Sequence, residues 1–338
     1  MKISSIGMGL VCAAALCGPA SAGETYYDVA SKALPLQQAA GTARAAAMGS
    51  AVVAVPQGAA SLLWNPAGLS RIGHIEAGLH HNSGLGDTVQ ETVIVGLPIS
   101  DIKEECRGGP GGNVKAGCRG ASLGGLAASL GYVNYGDFSG RDSLGSSSGK
   151  YHAGDFSASG GWGLELLPGF SGGIALKTNQ SRFAGRAYNA VTSDIGFLYN
   201  VIPALHLGLA YSNINLGNKI GGQKLASGLR LGAAWAVEKN LLLAVSGELQ
   251  NDAVNRLQLG GEYLAGNTEG RGNFLAFRAG YQVNYPDPRL SGLTGLTLGL
   301  GYTVNRSITL DYAMVPVGEL GTSHRFSLIF KFGYQKPL

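Results

Sequence analysis

Three serines in this sequence stand in the pattern Gly-x-Ser-x-Gly, which in hydrolases presents a nucleophilic hydroxyl at a strand-to-helix turn. They are Ser122, Ser147 and Ser171. None of them follows a predicted strand into a predicted helix, and a chain with 55 glycines produces such matches by chance. Each serine is therefore predicted to lie in a turn or to face a polar interior. No catalytic residue is assigned, and the chain is not expected to be an enzyme.

A group of histidines is the best candidate for metal binding. His74, Glu76 and His80 share parity along one predicted strand, whereas the neighbouring His81 points to the opposite face. No metal site is assigned to this group. The sequence also lacks a Gly-Lys-Ser/Thr motif for binding phosphate, and no cofactor is expected.

The first residues are typical of a secretory signal peptide. Lys2 supplies a positive charge, residues 6–16 form a short apolar run, and residues 19–22 end in the small-x-small pattern of a cleavage site. The predicted division is therefore residues 1–22 as signal peptide, residues 23–71 as an N-terminal segment, and residues 72–334 as the main domain. A mature chain would keep only Cys106 and Cys118, which predict a disulfide around a Gly-rich loop in an oxidising compartment.

The composition is that of a membrane protein without spanning helices. The sequence is 45% hydrophobic and only 14% charged, yet after the signal no window holds the roughly 18–20 consecutive apolar residues that a spanning helix needs. A closed β-barrel is the remaining way to satisfy the backbone in lipid. The formal net charge of +4 is small and there is no basic stripe, so nucleic acid is not expected as a partner.

From about Ile72 onward, apolar residues alternate with small or polar ones over eight to twelve positions between turns. Segments of about ten alternating residues are typical of transmembrane barrels. The pattern predicts an all-β fold, an antiparallel transmembrane barrel of about 14 strands. The predicted strands start near His74, Thr88, Ser122, Tyr151, Phe170, Asn189, Leu205, Leu225, Leu241, Arg256, Phe274, Thr294, Ile308 and His324.

The connections alternate between short and long, as expected for periplasmic turns and outside loops. Residues 167–169, 202–204, 238–240 and 305–306 are predicted to be short turns. Residues 136–150, 213–224 and 285–292 are predicted to be longer outside loops. By this parity the loop between the two cysteines lies on the periplasmic side.

The face opposite the apolar one carries charges of both signs. A confined polar lumen favours such mutual neutralisation, because isolated charges in a narrow interior are costly. The predicted lumen charges are Glu248, Glu262, Arg278, Asp311 and Arg325, with an ion pair between Asp311 and Arg325 on the last two strands. The alternative architecture is a soluble β-sandwich or propeller, which would place more Lys and Glu on this face.

Two sequence motifs stand out near the N-terminus: residues 41–51, GTARAAAMGSA, and residues 58–69, GAASLLWNPAGL. They resemble the N-terminal signature of the PorV/PorQ family of FadL-like outer-membrane barrels. Later stretches at residues 260–263, 277–281, 310–313 and 321–325 are similar to the closing strands of that family. The resemblance implies that the N-terminal segment plugs the lumen, with a plug motif of Arg44, Met48, Gly49, Trp64, Asn65, Pro66, Ala67 and Gly68.

The resemblance implies a protein of the outer membrane of a Gram-negative-type bacterium, in contact with its lipid. The resemblance to PorV-type members, which act with a protein secretion machine, predicts a role in protein export or surface assembly. The expected partners in that role are secretion-machine proteins or exported cargo. FadL-type relatives carry hydrophobic small molecules through the plug and out between strands, which is the first alternative. That route needs a break in strand pairing, and Pro98 and Gly124–Gly125 are the best candidates. A passive structural barrel is the second alternative.

Overall fold

The computed structural model describes residues 41–84, 88–100, 122–183, 185–217, 225–251, 255–267, 272–283 and 292–332. The predicted signal peptide, Cys106, Cys118 and the residues after 332 lie outside the described residues. No helix within these ranges is long and apolar enough to cross a membrane.

Fourteen antiparallel strands close into one barrel, in which each strand pairs with its sequence neighbours and β1 pairs with β14. The prediction of about 14 strands is confirmed, and the predicted starts agree with the observed ones to within four residues. The strands are β1 Ile75–Ser83, β2 Val89–Ser100, β3 Ser122–Arg141, β4 Ser147–Leu167, β5 Phe170–Phe183, β6 Arg186–Ile202, β7 Leu205–Asn215, β8 Gly228–Glu238, β9 Leu241–Gln250, β10 Arg256–Gly266, β11 Phe274–Val283, β12 Leu296–Val304, β13 Ile308–Pro316 and β14 Thr322–Phe332.

The outer face of the barrel is largely apolar. Every second residue along a strand points outward, and most of these residues have apolar side chains. The burial pattern of β11, for example, alternates strictly from Leu275 to Gln282, with Leu275, Phe277 and Tyr281 exposed. Aromatic residues of the outer face are exposed as well, including Tyr132, Trp162, Tyr199 and Trp235. An apolar belt around a closed barrel is the arrangement that lipid contact requires.

The short turns gather at one end of the barrel, which we call the terminal end because β1 starts and β14 ends there. The turn between β12 and β13 consists of Asn305 and Arg306, with φ of 50° and 55°. Two consecutive residues with positive φ are typical of the type I′ turn, which matches the twist of the paired strands. Gly169, with φ 79°, similarly ends the turn between β4 and β5.

One long connection differs from its prediction. Residues 136–150 were expected to be an outside loop, but β3 and β4 continue through them and pair with each other up to Arg141 and Ser147. The turn at the tip is held by Asp142, whose Oδ1 accepts the N–H of Leu144 and the N–H of Ser146. The sequence of this hairpin is rich in Gly and Ser and lacks apolar alternation, so its strand character comes from pairing and not from a buried face.

The described part of the chain before β1, residues 41–72, is called the internal segment here. It contains one short α-helix, α1 (Ala43–Ala47), and two 3₁₀ helices, η1 (Gly58–Leu63) and η2 (Pro66–Arg71). A third 3₁₀ helix, η3 (Gly318–Leu320), lies between β13 and β14. The apolar core lies between the internal segment and the wall: Met48, Val52 and Trp64 pack with Ala234 and Ala244.

Candidate functional site

The first turn of the internal segment is fixed by hydrogen bonds to itself and to the wall. Thr42 is the N-cap of α1, and its Oγ1 accepts the N–H of Ala45 at 3.1 Å. The N–H of Ala43 has no partner within so short a helix, and it donates to Oγ of Ser327 on β14 at 2.8 Å. The start of the helix is thereby attached to the barrel wall.

The end of α1 is attached to the barrel wall at β12. Thr297 on β12 accepts the N–H of Gly49 at 3.0 Å and donates its hydroxyl to the carbonyl oxygen of Ala47 at 3.0 Å. Gly49 has φ 59°, and a Cβ at this position would meet the carbonyl oxygen of Leu259 at 2.7 Å. Only glycine satisfies both the left-handed backbone and the contact with the wall.

The Trp-Asn-Pro-Ala-Gly phrase joins η1 to η2 and to the wall. Asn65 caps η2, since its Oδ1 accepts the N–H of Ala67 at 3.1 Å. Its Nδ2 donates to the carbonyl oxygens of Val53 at 2.9 Å and of Phe197 on β6 at 3.0 Å. Pro66 occupies the first helical position, where a missing N–H costs nothing. The whole amide of Asn65 is therefore used inside the barrel.

Gly68 has a packing role within this phrase. A Cβ at Gly68 would lie 2.5 Å from Oγ of Ser61, so the absence of a side chain lets η1 and η2 pack closely. Ser61 Oγ in turn accepts the N–H of Gln57 at 2.9 Å. The two 3₁₀ helices form one compact unit.

The wall meets the internal segment through a ring of glycines, which we call the glycine belt. At ten inward-facing glycines on nine strands, a Cβ would lie within 3.0 Å of an atom of residues 41–72. The belt consists of Gly96, Gly125, Gly161, Gly163, Gly173, Gly196, Gly208, Gly260, Gly280 and Gly299. In most cases the atom that would be met is backbone: at Gly280 it is the nitrogen of Gly49, at 2.1 Å. The internal segment is therefore in direct contact with the inner wall at the level of the belt.

Four charges, three of them buried and the fourth, Arg44, partly exposed, form a chain that links the internal segment to three strands. Arg44 donates from Nε to Oε2 of Glu262 at 2.9 Å and from Nη2 to Oε1 at 2.7 Å. Arg278 donates from Nε to the same Oε2 at 2.6 Å and from Nη1 to Oδ1 of Asp311 at 2.7 Å. Two cations and two carboxylates balance, which burial requires. Burial lowers the pKa of Arg44, but the charge and hydrogen bonds of Glu262 outweigh it and hold this pKa above its ordinary value.

Further ion pairs lie on the inner faces of β5 to β9. Arg230 donates from Nε to Oε1 of Glu248 at 2.7 Å, and its guanidinium carbon lies 5.5 Å from the centre of the Trp64 ring. A cation over an indole ring is favourable when both are desolvated. Lys177 pairs with Asp194. The charges of this region are thus neutralised in pairs, and one pair also holds Trp64 of the internal segment.

At the terminal end, Glu76 on β1 holds the start of η1. Its Oε2 accepts the N–H of Ala59 at 2.8 Å, and its Oε1 lies 3.6 Å from Nζ of Lys331. A carboxylate that accepts an N–H at a helix start interacts favourably with the unpaired amides there. The sequence placed Glu76 on the same strand face as His80, but its bond to the internal segment was not predicted.

The structure places the predicted lumen charges on the inner face, where all five are buried. It brings Glu262, Arg278 and Asp311 together with Arg44, whereas Glu248 pairs with Arg230. Arg325 is on β14 two residues from Ser327, the residue directly opposite Asp311. The partner that the structure gives Asp311 is Arg278. The inward glycines, Thr297 and Ser327 were missed; the only sequence signal was their position on the polar face of the alternation.

Apart from His74, which lies just before β1, the residues considered for catalysis or metal binding belong to strands. Ser122 and Ser147 are the first residues of β3 and β4, and Ser171 is a buried residue of β5. His80 is buried and its Nδ1 lies 2.7 Å from Oγ of Ser327, while His81 is on the outer face beside Glu91. Among the described residues, no group of three or more His, Cys, Asp or Glu side chains could hold a metal ion.

An apolar depression of about 580 Å³ lies on the outer face of β2 to β6. Its sides are exposed apolar side chains: Val93, Val95, Leu130, Leu176 and Val191. Small residues lie between them, namely Ala128, Ala158 and Gly160. On the inner face of the same part of the wall, the side chains are again small: Ser129 and Ser159 contact each other through Oγ atoms 2.6 Å apart. The side chains on both faces of β3 and β4 are therefore small at this place, and the charged residue of the lining is Lys177 on β5, which pairs with Asp194.

The predicted breaks in strand pairing lie at the terminal end of β2 and β3. The register between these strands shifts between Pro98 and Ser100, and Gly124, with φ 81°, lies opposite the shift. A Cβ at Gly124 would meet the carbonyl oxygen of Gly163 at 1.8 Å, so the backbones of β3 and β4 are in close contact there. The irregularity is a bulge and not a gap between the strands.

Three solved structures share this fold. The toluene transporter TbuX of Ralstonia pickettii is 13% identical, with a TM-score of 0.53 over 86% of this chain and 97% of the transporter. The toluene transporter TodX of Pseudomonas putida is 12% identical, with a TM-score of 0.53 over 86% and 96% of the two chains. A FadL homologue of Pseudomonas aeruginosa is 12% identical, with a TM-score of 0.51 over 87% and 98%.

At this level of identity the likeness establishes the fold. No family model matches the chain, and no curated protein matches it. The fold is that of FadL-like barrels, whereas the more specific resemblance to PorV and PorQ receives no support from the comparison. The matching structures are named as transporters and not as enzymes.

Proposed function

We propose that this protein is an outer-membrane barrel that carries hydrophobic small molecules, with residues 41–72 acting as the plug. This is the FadL-like role that the sequence offered as the first alternative to protein export. The observation that carries the proposal is the coincidence of two features. The internal segment packs against the glycine belt, and the wall beside it has an outer depression whose sides are apolar. A molecule that enters from outside therefore meets the plug and has an apolar way out through the wall.

The charge distribution supports this route. The buried ion pairs of the inner face involve β5, β6, β8 to β11 and β13, where an apolar molecule would have to pass desolvated charges at a cost. On β4, the inward residues between Asp155 and Glu165 are Ser157, Ser159, Gly161 and Gly163. This uncharged sector is backed by the outer depression. We infer that the molecule crosses the wall between β3 and β4, which pair continuously from Gly125 to Asn134 and must separate locally for it to pass.

The proposal departs from the export hypothesis based on the PorV/PorQ resemblance. That hypothesis needs a partner or cargo protein, and the proteins with a matching fold are named as hydrocarbon transporters and channels. The signal peptide at residues 1–22 and outer-membrane localisation form part of the proposal, since an apolar belt around a closed barrel needs a membrane in which such barrels assemble.

Native mass spectrometry of the protein extracted from its own membrane in mild detergent tests the proposal. We expect a retained apolar small molecule of a few hundred daltons at most. A stoichiometric protein partner, without any small ligand, would overturn the proposal in favour of export.

A further inference from the structure

The internal segment begins at the seam of the barrel, the line along which β1 pairs with β14. His80 on β1 and Ser327 on β14 are directly opposite each other across the seam. Ser327 Oγ accepts the N–H of Ala43 at 2.8 Å and lies 2.7 Å from Nδ1 of His80. All three residues are buried, with exposed fractions of 0% for Ala43, 1% for Ser327 and 3% for His80. One hydroxyl thus joins both seam strands to the internal segment.

A second polar contact at the seam joins β1 to the first residue of the internal segment. Asn82 is on β1, two residues after His80, and its Nδ2 donates to the carbonyl oxygen of Gly41 at 3.4 Å. The backbone of residues 41–43 therefore lies along the inner side of the seam, with a polar contact to each of the two strands. Because Ser327 Oγ already accepts from Ala43, its own proton is free to be donated to Nδ1 of His80.

The outer faces of the seam strands specify the register weakly. Apart from His81, they carry an apolar series near the middle of the seam, with Leu79 on β1 and Phe326, Leu328 and Phe330 on β14. On the inner side, Glu76 and Lys331 lie opposite each other and favour the native register at the terminal end. A slip by two residues keeps every side chain on its face and replaces one apolar pair by another. On the inner side, the same slip would place Arg325 or Ile329 opposite His80. Neither side chain has an acceptor for the N–H of Ala43.

We propose that residues 41–43 set the register in which β14 pairs with β1 when the barrel closes. The internal segment precedes β1 in the chain, so it is present when β14, the last strand, arrives. Ser327 is then the residue of β14 that fits, since it alone of the inward positions near it supplies an acceptor to Ala43 and a donor to His80. Ser327 is a positioning residue for barrel closure, independent of what the barrel carries.

Cross-linking across the seam tests the proposal in the full-length protein, with Cys12, Cys17, Cys106 and Cys118 all replaced by serine. Cysteine pairs report the register: Leu79→Cys with Leu328→Cys for the native pairing, and Leu79→Cys with Phe326→Cys or Phe330→Cys for a slip by two residues. Each protein is unfolded in urea, refolded in detergent and treated with a short thiol-specific cross-linker. The ratio of slipped to native cross-linking is the measured quantity.

We expect Ser327→Ala to raise this ratio by about fivefold, the factor that corresponds to one lost buried hydrogen bond. Asn82→Ala should raise it in the same direction. The matched control is Ser323→Ala, which removes another hydrogen bond across the same seam, from Ser323 Oγ to the carbonyl oxygen of Ser83 at 2.6 Å, without touching the internal segment. An unchanged ratio in Ser327→Ala, or an equal rise in Ser323→Ala, would overturn the proposal.

Discussion

Arg44 and Glu262 meet across 218 residues of sequence, and both oxygens of the carboxylate accept hydrogen bonds from the same guanidinium, at 2.9 and 2.7 Å. One partner belongs to the internal segment and the other to β10. Glu262 also accepts from Arg278. The pair therefore connects the proposed plug to the ionic chain of the wall, and it is the most direct link between the two parts of the molecule.

Replacing Arg44 by alanine should destabilise the folded barrel. The change leaves the buried Glu262 with one cation in place of two. The loss should be smaller than the about 3–5 kcal/mol of a buried charge left without any partner, because Arg278 still pairs with Glu262. The midpoint of urea unfolding in lipid vesicles measures the loss. Arg141→Ala is the control, because Arg141 is exposed on the β3–β4 hairpin and donates only to the carbonyl oxygen of Gly145. Equal midpoints for the two variants would contradict the role given to Arg44.

The glycine belt predicts that a single methyl group on the inner wall is harmful. At Gly208 a Cβ would lie 2.4 Å from the carbonyl oxygen of Val53, and at Gly280 it would lie 2.1 Å from the nitrogen of Gly49. Because the obstacle is backbone, Gly208→Ala and Gly280→Ala should each cost about 1–3 kcal/mol or more in stability. Gly247→Ala is the matched control on the outer face, where nothing lies within 4 Å. If the belt variants unfold at the same urea concentration as this control, the internal segment is not packed as described.

Variants of Asn65 separate the capping role of its Oδ1 from the donor role of its Nδ2. Asn65→Asp keeps the oxygen that caps η2 but turns a carboxylate oxygen towards the carbonyl oxygens of Val53 and Phe197. We expect Asn65→Asp to destabilise the protein at least as much as Asn65→Ala, by about 1–3 kcal/mol, because two carbonyl groups lose their donor. Thermal unfolding of the three proteins in detergent provides the comparison. A milder effect of aspartate than of alanine would show that the cap alone matters.

The β3–β4 hairpin should be dispensable for the barrel. Beyond the pair Ala153–Phe183 that ends the β4–β5 ladder, the hairpin strands pair only with each other, and its Leu144 is 88% exposed. Replacing residues 137–152 by a two-residue Asn-Gly turn should leave the urea midpoint unchanged within about 0.5 kcal/mol, as for surface changes away from the core. A clearly lower midpoint would show that the hairpin contributes to the barrel itself.

The wall of this molecule could be predicted from the sequence, because alternation with a period of two depends only on which face of a strand meets an apolar environment. This is why the starts of β7, β9 and β13 were predicted at Leu205, Leu241 and Ile308, where they lie. The β3–β4 hairpin was not predicted, since its residues bury no face and their pairing depends on the strands below. A pattern that reports burial cannot report a strand held by backbone hydrogen bonds alone.

The interior could be predicted only by residue type. The sequence placed Glu262, Arg278 and Asp311 on the inner face, but the pairing of Glu262 with Arg44 depends on how the internal segment lies in the lumen. Likewise Gly208 and Gly299 were recognised as members of the small and polar face, yet their contact with Val53 and Ala47 requires the three-dimensional path of residues 41–72. Contacts between a segment and a wall so distant in sequence leave no periodic signal.

The uptake of a small aromatic hydrocarbon by intact cells directly tests whether hydrophobic molecules pass through the barrel wall. Radiolabelled toluene is given to cells that carry the protein, its Gly160→Leu variant or its Gly247→Leu variant, or that lack it. Both glycines lie on the outer face and can accept a Cβ, with no atom closer than 4.0 Å at Gly160 and none within 4 Å at Gly247, but only Gly160 lines the depression. We predict faster uptake with the protein and with Gly247→Leu than without it, and a return towards the rate of cells without the protein in Gly160→Leu. Uptake that does not depend on the protein, or that both variants leave equal, would contradict passage of hydrophobic molecules through this wall.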